Sequence, residues 1–225
     1  MKNVNSYVFF DTETGGLLAQ KNAVCEIALV AIKGDTLEKI DLVSTFIQPY
    51  GDFTYEPEAM KFTGITMGDL ESGVTNVEAC QLILDLLKKC DFNPRNKGSK
   101  PIFIAHNAPF DKGFLIQLFT SAGLMKELEK VCFGKENYWG HWEPEMLDSQ
   151  LIFKMAYGAE EMANFKLGTC LSKAGVELVD GHQAINDTIG LKEGIVTMIE
   201  KLRSTGLEIN PSGQVRESYR KHFHF

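Results

Sequence analysis

Residues 7–16 read Tyr7-Val8-Phe9-Phe10-Asp11-Thr12-Glu13-Thr14-Gly15-Gly16, and the fold assignment starts there. β-branched and aromatic residues lead the stretch and glycines end it, the order of a buried strand running into a turn. Side chains alternate along a strand, so Asp11 and Glu13, at i and i+2, project to one face. Two carboxylates side by side outline a cation site. Taken alone the pair is ordinary, because Asp-x-Glu at a strand end is commonly a solvated turn, and Asp11 could simply cap the Thr- and Gly-rich turn that follows.

Outward from this stretch, residues 23–33 (AVCEIALVAIK) read as a second strand closed by the turn signal Gly34-Asp35. Residues 42–47 return as a third strand of a meander. Over residues 77–90, Val77, Cys80, Ile83, Leu84 and Leu87 fall on one helical face, after Thr75-Asn76 as a cap. The polar segment 91–100, with Pro94 and Gly98, reads as a loop.

Ile102-Phe103-Ile104-Ala105 then reads as a strand buried on both faces, followed by a helix through Phe114, Leu115, Leu118 and Phe119 that stops near Gly123. Helices are predicted over 147–157 and 166–174, and a long one carries Ile185, Ile189, Ile195, Ile199 and Leu202. Strands come first and helices dominate afterwards. The class is therefore α/β: a mixed sheet flanked by helices, with an antiparallel meander extended by a strand reached through a helical crossover. One domain spans residues 1–203, and residues 204–225, with Pro211-Ser212-Gly213 and a basic stretch, form a C-terminal appendage rather than a separate domain.

At 225 residues, 44% hydrophobic and 24% charged, the chain matches one globular domain with a substantial core. No run approaches the roughly 20 apolar residues of a membrane helix, and residues 1–6 lead straight into a strand rather than a secretory signal, so a cytoplasmic location is expected. Cys25, Cys80, Cys90, Cys132 and Cys170 are scattered without metal or disulfide spacing and read as reduced packing residues. The formal charge of −7 argues against holding nucleic acid through a broad basic face, since such binding needs Lys and Arg to displace counterions. Any phosphate partner must be held locally.

Further along, Asp111 closes the run His106-Asn107-Ala108-Pro109-Phe110-Asp111 at the start of the predicted helix. Alone it is an ordinary acidic first-turn residue favoured by the helix dipole. His182 and Asp187 would stand roughly 140° apart on a continuous helix, at about 100° per residue. They can serve one site only if Gly181-His182 belongs to the preceding loop and Asp187 to the first turns of the helix.

Taken together, the four acids and the histidine appear in a fixed order, each beside a buried strand or at a helix start. On the stretches Phe-Asp-Thr-Glu-Thr-Gly-Gly (10–16), His-Asn-Ala-Pro-Phe-Asp (106–111) and Gly-His-Gln-Ala-Ile-Asn-Asp-Thr (181–188), the chain resembles the DEDD exonucleases of the His subtype. Weaker echoes lie at residues 57–66, at Leu147-Asp148-Ser149 and at Phe165-Lys166-Leu167, so the resemblance spans about residues 6 to 200. It implies a ribonuclease H-like fold and a metal-dependent 3′-to-5′ exonuclease that releases 5′-mononucleotides from single-stranded or frayed DNA.

Clustered carboxylates raise one another's pKa values and call for cations, and hard oxygen ligands suit Mg²⁺ or Mn²⁺. The resemblance implies two ions on Asp11, Glu13, Asp111 and Asp187, with His182 as the base that takes a proton from the attacking water. It further implies that the turn from Thr12 through Thr14, Gly15, Gly16 and Leu17 binds the terminal nucleotide, helped by Met60, Thr63, His106 and Asn107. Phe114 reads as core, whereas Phe110 reads equally as core or as a stacking surface for a base. The aromatic segment 138–142 is expected to pack against the domain rather than act as a flap over the substrate. The terminal His222-Phe223-His224 is read as a frayed end.

The partner implied is a single-stranded 3′ end, DNA ahead of RNA, with no membrane and with any polymerase partner in a separate chain. An exoribonuclease acting on RNA or short oligoribonucleotides is the nearest alternative, because a 2′-hydroxyl is read by contacts that motifs do not show. An inactive docking module for a polymerase or nuclease partner would not need all five residues intact.

Overall fold

A strand read as far as Phe10 continues through both acids. In the computed structural model, which describes residues 6–90, 100–157, 162–179, 181 and 183–204, β1 runs Ser6–Thr14. It pairs antiparallel with β2, Val24–Lys33, which pairs antiparallel with β3, Lys39–Phe46. Three helices follow: α1 (Pro57–Thr63), α2 (Met67–Ser72) and α3 (Asn76–Lys89). Thr75 caps α3 as expected. Its hydroxyl accepts the Glu78 N–H at 3.2 Å while the Glu78 carboxylate accepts the Thr75 N–H at 2.9 Å, so two orphan donors of the helix start are satisfied together.

The chain then crosses to β4, Ile102–Ala105, which lies parallel to β1 as the crossover pattern requires. Next come α4 (Ala108–Ser121), α5 (Met125–Val131), the hairpin β5 (Gly134–Glu136) and β6 (Trp142–Pro144), and β7 (Met146–Asp148). β7 pairs parallel with β4 and completes a five-stranded sheet of order β3-β2-β1-β4-β7. Helices α6 (Ser149–Tyr157), α7 (Leu167–Ala174) and α8 (Ala184–Ser204) close the domain.

Alternation along the strands splits the core into two layers. Val8, Phe10, Leu29 and Phe103 face α3 and α4, packing on Ile83, Leu87, Phe114 and Leu118. Phe9, Val30, Ile32 and Ile104 face the other way, onto Phe153, Leu171, Leu191 and Ile195 of α6, α7 and α8. All five cysteines are buried and outside any disulfide, as packing residues should be.

Several expectations are corrected. Residues 147–148 belong to β7 and the helix begins at Ser149. A three-residue strand is too short to display a period, and its hydrogen bonds to β4 decide its state. Val77 is exposed although it shares the helical spacing of α3, because it sits in the first turn, beyond the end of the core. Of the aromatic segment, only Trp142 packs against the core. Tyr138 and Trp139 stand 92% and 77% exposed at the hairpin tip, edge to face at 5.1 Å. The Asn137 side chain holds that tip by accepting the N–H groups of Trp139 and His141. The predicted loop at 91–99 and the tail at 205–225 lie outside the described residues. Among the described residues no helix is long and apolar enough to cross a membrane.

Candidate active site

The same alternation that divides the core sorts the site. Asp11 and Glu13 share the face of Phe9, toward α8, while Thr12 shares the face of Phe10, toward α4. Asp187 lies in the first turn of α8 and Asp111 in the first turn of α4. The C-terminal end of the central strand β1 therefore receives an acid from each flanking layer. Asp11, Glu13 and Asp187 each bring a carboxylate oxygen to within 4.8 Å of the others.

Asp111 approaches from the opposite face and is 2% exposed. Its Oδ1 accepts the Thr12 N–H at 3.1 Å and the Thr12 hydroxyl at 2.8 Å, which ties α4 to the strand between the two acids. It stands outside the tight trio, yet its charge acts on Asp11.

Burial and the proximity of like charges shape the electrostatics. Asp11 is raised well above the carboxylate range by burial, then by Asp111, Glu13, Asp187 and Glu26. Burial, then Asp187, Glu26 and Asp111, push Glu13 up to about 8. Burial lifts Asp111 to about 7 against the opposing pull of its two Thr12 hydrogen bonds. Each acid resists ionisation because burial strips its hydration and its neighbours would carry the same charge. A divalent cation reverses that balance, and a donor set of carboxylate oxygens alone is what a hard cation selects. The residues present fit one.

The turn after β1 is built to a close tolerance. The Thr14 hydroxyl donates to the Gly16 carbonyl at 2.7 Å, and the Gly15 N–H donates to the Ala23 carbonyl at 2.9 Å. A Cβ on Gly15 would meet the Thr54 carbonyl at 2.9 Å, and one on Gly16 would meet the Asn22 side chain at 2.4 Å. Asn22 is fully buried and cannot yield, since its Oδ1 accepts the Leu18 N–H and its Nδ2 donates to Thr54 and Glu56. Leu17 projects from this turn, largely exposed. The N–H groups of Thr12 and Gly15 are thus already donated within the protein.

The remaining predicted residues divide. Met60 packs by its sulfur on Cys25 at 3.8 Å, and the Thr63 hydroxyl accepts the Ile65 N–H at 3.3 Å in the turn after α1. His106 is bound at both ring nitrogens, to the Ser149 hydroxyl and the Phe165 carbonyl, each at 2.8 Å. A carbonyl only accepts, so Nε2 carries the proton and, in the neutral ring, Nδ1 accepts from Ser149. Burial lowers the pKa of that imidazole. His106 is a tie between β4, α6 and the segment before α7.

Asn107 is exposed in the left-handed region at φ 67°, a conformation Asn tolerates, and its N–H donates to Asp148. Phe110 meets Phe114 at 5.0 Å and packs partly buried against the core, while Phe114 is fully within it. His182 lies outside the described residues, between the described Gly181 and Gln183.

Sequence reading missed Glu26. It is the cross-strand partner of Glu13, 6% exposed, and its Oε2 accepts the Ala184 N–H at 3.2 Å. A charged residue inside an otherwise apolar strand was the available signal, since a buried Glu is rarely left unpaired.

Comparison with known proteins agrees with this geometry. A family model described as "Exonuclease" matches residues 8–191. The DNA polymerase III PolC-type of Bacillus cereus is 30% identical over 203 residues, 90% of this chain but 12% of that protein. The chain therefore spans only a small part of its PolC relatives. Ribonuclease T of Vibrio parahaemolyticus is 27% identical over 206 residues, covering 88% of this chain and 87% of that protein. Among solved structures, E. coli exonuclease I in complex with a dT13 oligonucleotide has a TM-score of 0.67 at 14% identity, over 91% of this chain and 43% of that one. The nuclease domain of 3′hExo bound to rAMP has a TM-score of 0.67 at 16% identity, over 89% and 94%. Both likenesses show the fold.

Proposed function

This chain belongs to the exonuclease family, and from that premise we propose that it removes nucleotides one at a time from the 3′ end of single-stranded or frayed DNA, releasing 5′-mononucleotides. The observation that carries the reading is the trio Asp11, Glu13 and Asp187, gathered within 4.8 Å, where burial and neighbouring carboxylates raise the pKa values of Asp11 and Glu13. Such a cluster lowers the stability of the fold unless a cation uses it.

Asp11, Glu13, Asp111 and Asp187 would hold divalent ions, Mg²⁺ or Mn²⁺. When bound, these supply Lewis-acid polarisation of the phosphoryl oxygen and of the attacking water. The protein's own contribution is orientation. Thr12 fixes Asp111, and the turn at residues 14–17, sterically closed around Asn22, shapes the floor on which a terminal nucleotide rests. Leu17 offers an exposed apolar contact for a base. His182, five residues before Asp187 in sequence, is assigned the proton from the attacking water, a task imidazole suits because its reference pKa is near 6.5. With local cations doing the neutralisation, a net charge of −7 is no obstacle.

Incubation with Mg²⁺ and a 3′-labelled oligonucleotide should release labelled mononucleotide, and Asp11→Ala or Asp187→Ala should abolish it. Internal cleavage, or activity that survives both substitutions, would overturn the reading. A second reading, trimming of RNA 3′ ends, draws on the ribonuclease T match, which covers nearly all of that relative. Competition between DNA and RNA strands of one sequence separates the two. A polymerase partner remains the corresponding proposal for the PolC likeness.

A further inference from the structure

Glu26 belongs to none of the motifs and to neither of the helices that deliver Asp111 and Asp187. It sits on β2 directly across from Glu13, and the register sends both carboxylates toward α8. Two like charges facing each other across antiparallel strands are unfavourable, so Glu26 needs an offsetting role to be tolerated there. Its partners define one. Oε2 accepts the N–H of Ala184, the first residue of α8, and the Ser44 hydroxyl donates to the same carboxylate.

A helix start leaves its first N–H groups without intrahelical acceptors, and an anion there is favoured by the helix dipole. First turns also fray. Asp187 is three residues on from Ala184, on the same side of the same turn. The body of α8 is anchored further along, by Leu191 and Ile195 on Phe9 and Val30. The Thr188 hydroxyl adds only a long bond, 3.4 Å, to the Ala28 carbonyl.

We infer that Glu26 is a positioning residue: by accepting the Ala184 N–H from β2 it fixes the first turn of α8, and so sets Asp187 at the distance from Asp11 and Glu13 that lets the three share a cation. The inference rests on the proposed function for the identity of the site. Glu26 itself lies outside the trio that could hold the ion, and its oxygens are engaged with Ala184 and Ser44.

The test uses the full chain, Mn²⁺ alone as the probe in a binding titration, and kcat and KM on a DNA oligonucleotide. Two variants separate reach from charge. Glu26→Gln loses the charge and keeps an acceptor oxygen at full reach, whereas Glu26→Asp keeps the charge and withdraws the oxygen by one methylene. E26D should weaken Mn²⁺ binding about 10- to 100-fold, the usual cost of losing a group that orients a metal ligand. Its kcat should fall while KM for the oligonucleotide holds. E26Q should recover most of the affinity and rate.

Wild-type Mn²⁺ affinity in E26D, or equal damage in E26D and E26Q, overturns the inference. A wild type that turns over DNA alongside a fully active E26D refutes only the positioning role. A wild type that binds Mn²⁺ in a Glu26-dependent way without cleaving any strand refutes the function and leaves the positioning role standing. Absence of Mn²⁺ binding by the wild type removes both.

Discussion

Replacing Glu13 with Gln should make the metal-free protein more stable while abolishing its activity. Glu13 titrates near 4.5 in an unfolded chain and near 8 in the fold, raised by burial and then by the charges of Asp187, Glu26 and Asp111. Between those values the native state holds a proton that the unfolded chain has released, so stability falls as pH rises from about 5 to 8. At about 1.4 kcal/mol per tenfold, the ionised side chain costs the fold roughly 3 kcal/mol more at pH 8 than at pH 5.5. Relaxation and water penetration return part of this, which leaves roughly 1.5 kcal/mol. In a domain of this size that amounts to a melting-temperature difference of about 3 to 6 °C.

The assay is denaturant or thermal unfolding of wild type and E13Q at both pH values in EDTA. E13Q should gain on wild type as pH rises. Saturating Mn²⁺ should then reverse the order, because about 100-fold excess over Kd adds roughly 2.7 kcal/mol to a state that binds it. Equal stability of wild type at pH 5.5 and 8, with no advantage for E13Q, would show that burial and neighbouring carboxylates do not oppose the ionisation of Glu13.

Three further outcomes follow from particular contacts. Thr12→Val keeps the shape and deletes the hydroxyl that donates to Asp111, so it should cost about 1 kcal/mol in stability and lower kcat, measured by unfolding and steady-state kinetics. His106→Ala strands Ser149 and the Phe165 carbonyl and should cost roughly 2 to 4 kcal/mol. The pKa of His106 is held below its ordinary 6.5, so its contribution is present above that value and lost as pH falls below it, opposite in sign to Glu13. A Tyr138→Ala/Trp139→Ala double variant removes only exposed rings and should stay within about 0.5 kcal/mol of wild type, whereas Trp142→Ala, from the same hairpin, should destabilise measurably.

How much of this was legible divides by range along the chain. The meander, β4, the capped α3 and the long α8 were readable because a period of two or of 3.6 depends on neighbours a few residues away. The five-stranded order was readable only in outline, since β7 is three residues long and exists through its pairing with β4. Tyr138 and Trp139 were assigned to packing because large rings are usually buried, yet Asn137 folds the tip so that both face outward.

The sequence by itself determined which side chains each element presents: that Asp11 and Glu13 share a face of β1, that Thr12 takes the other, and that Asp111 and Asp187 open helices. Tertiary structure alone decided what meets what. Thr12 and Asp111 are bonded across 99 residues, and Glu26 reaches Ala184 across 158. His106, read as a substrate contact, is held at both nitrogens by residues further along the chain. Backbone sterics and local hydrophobic pattern set the direction of a side chain, whereas its partner is set by how two layers pack on opposite faces of a sheet, which no local window contains.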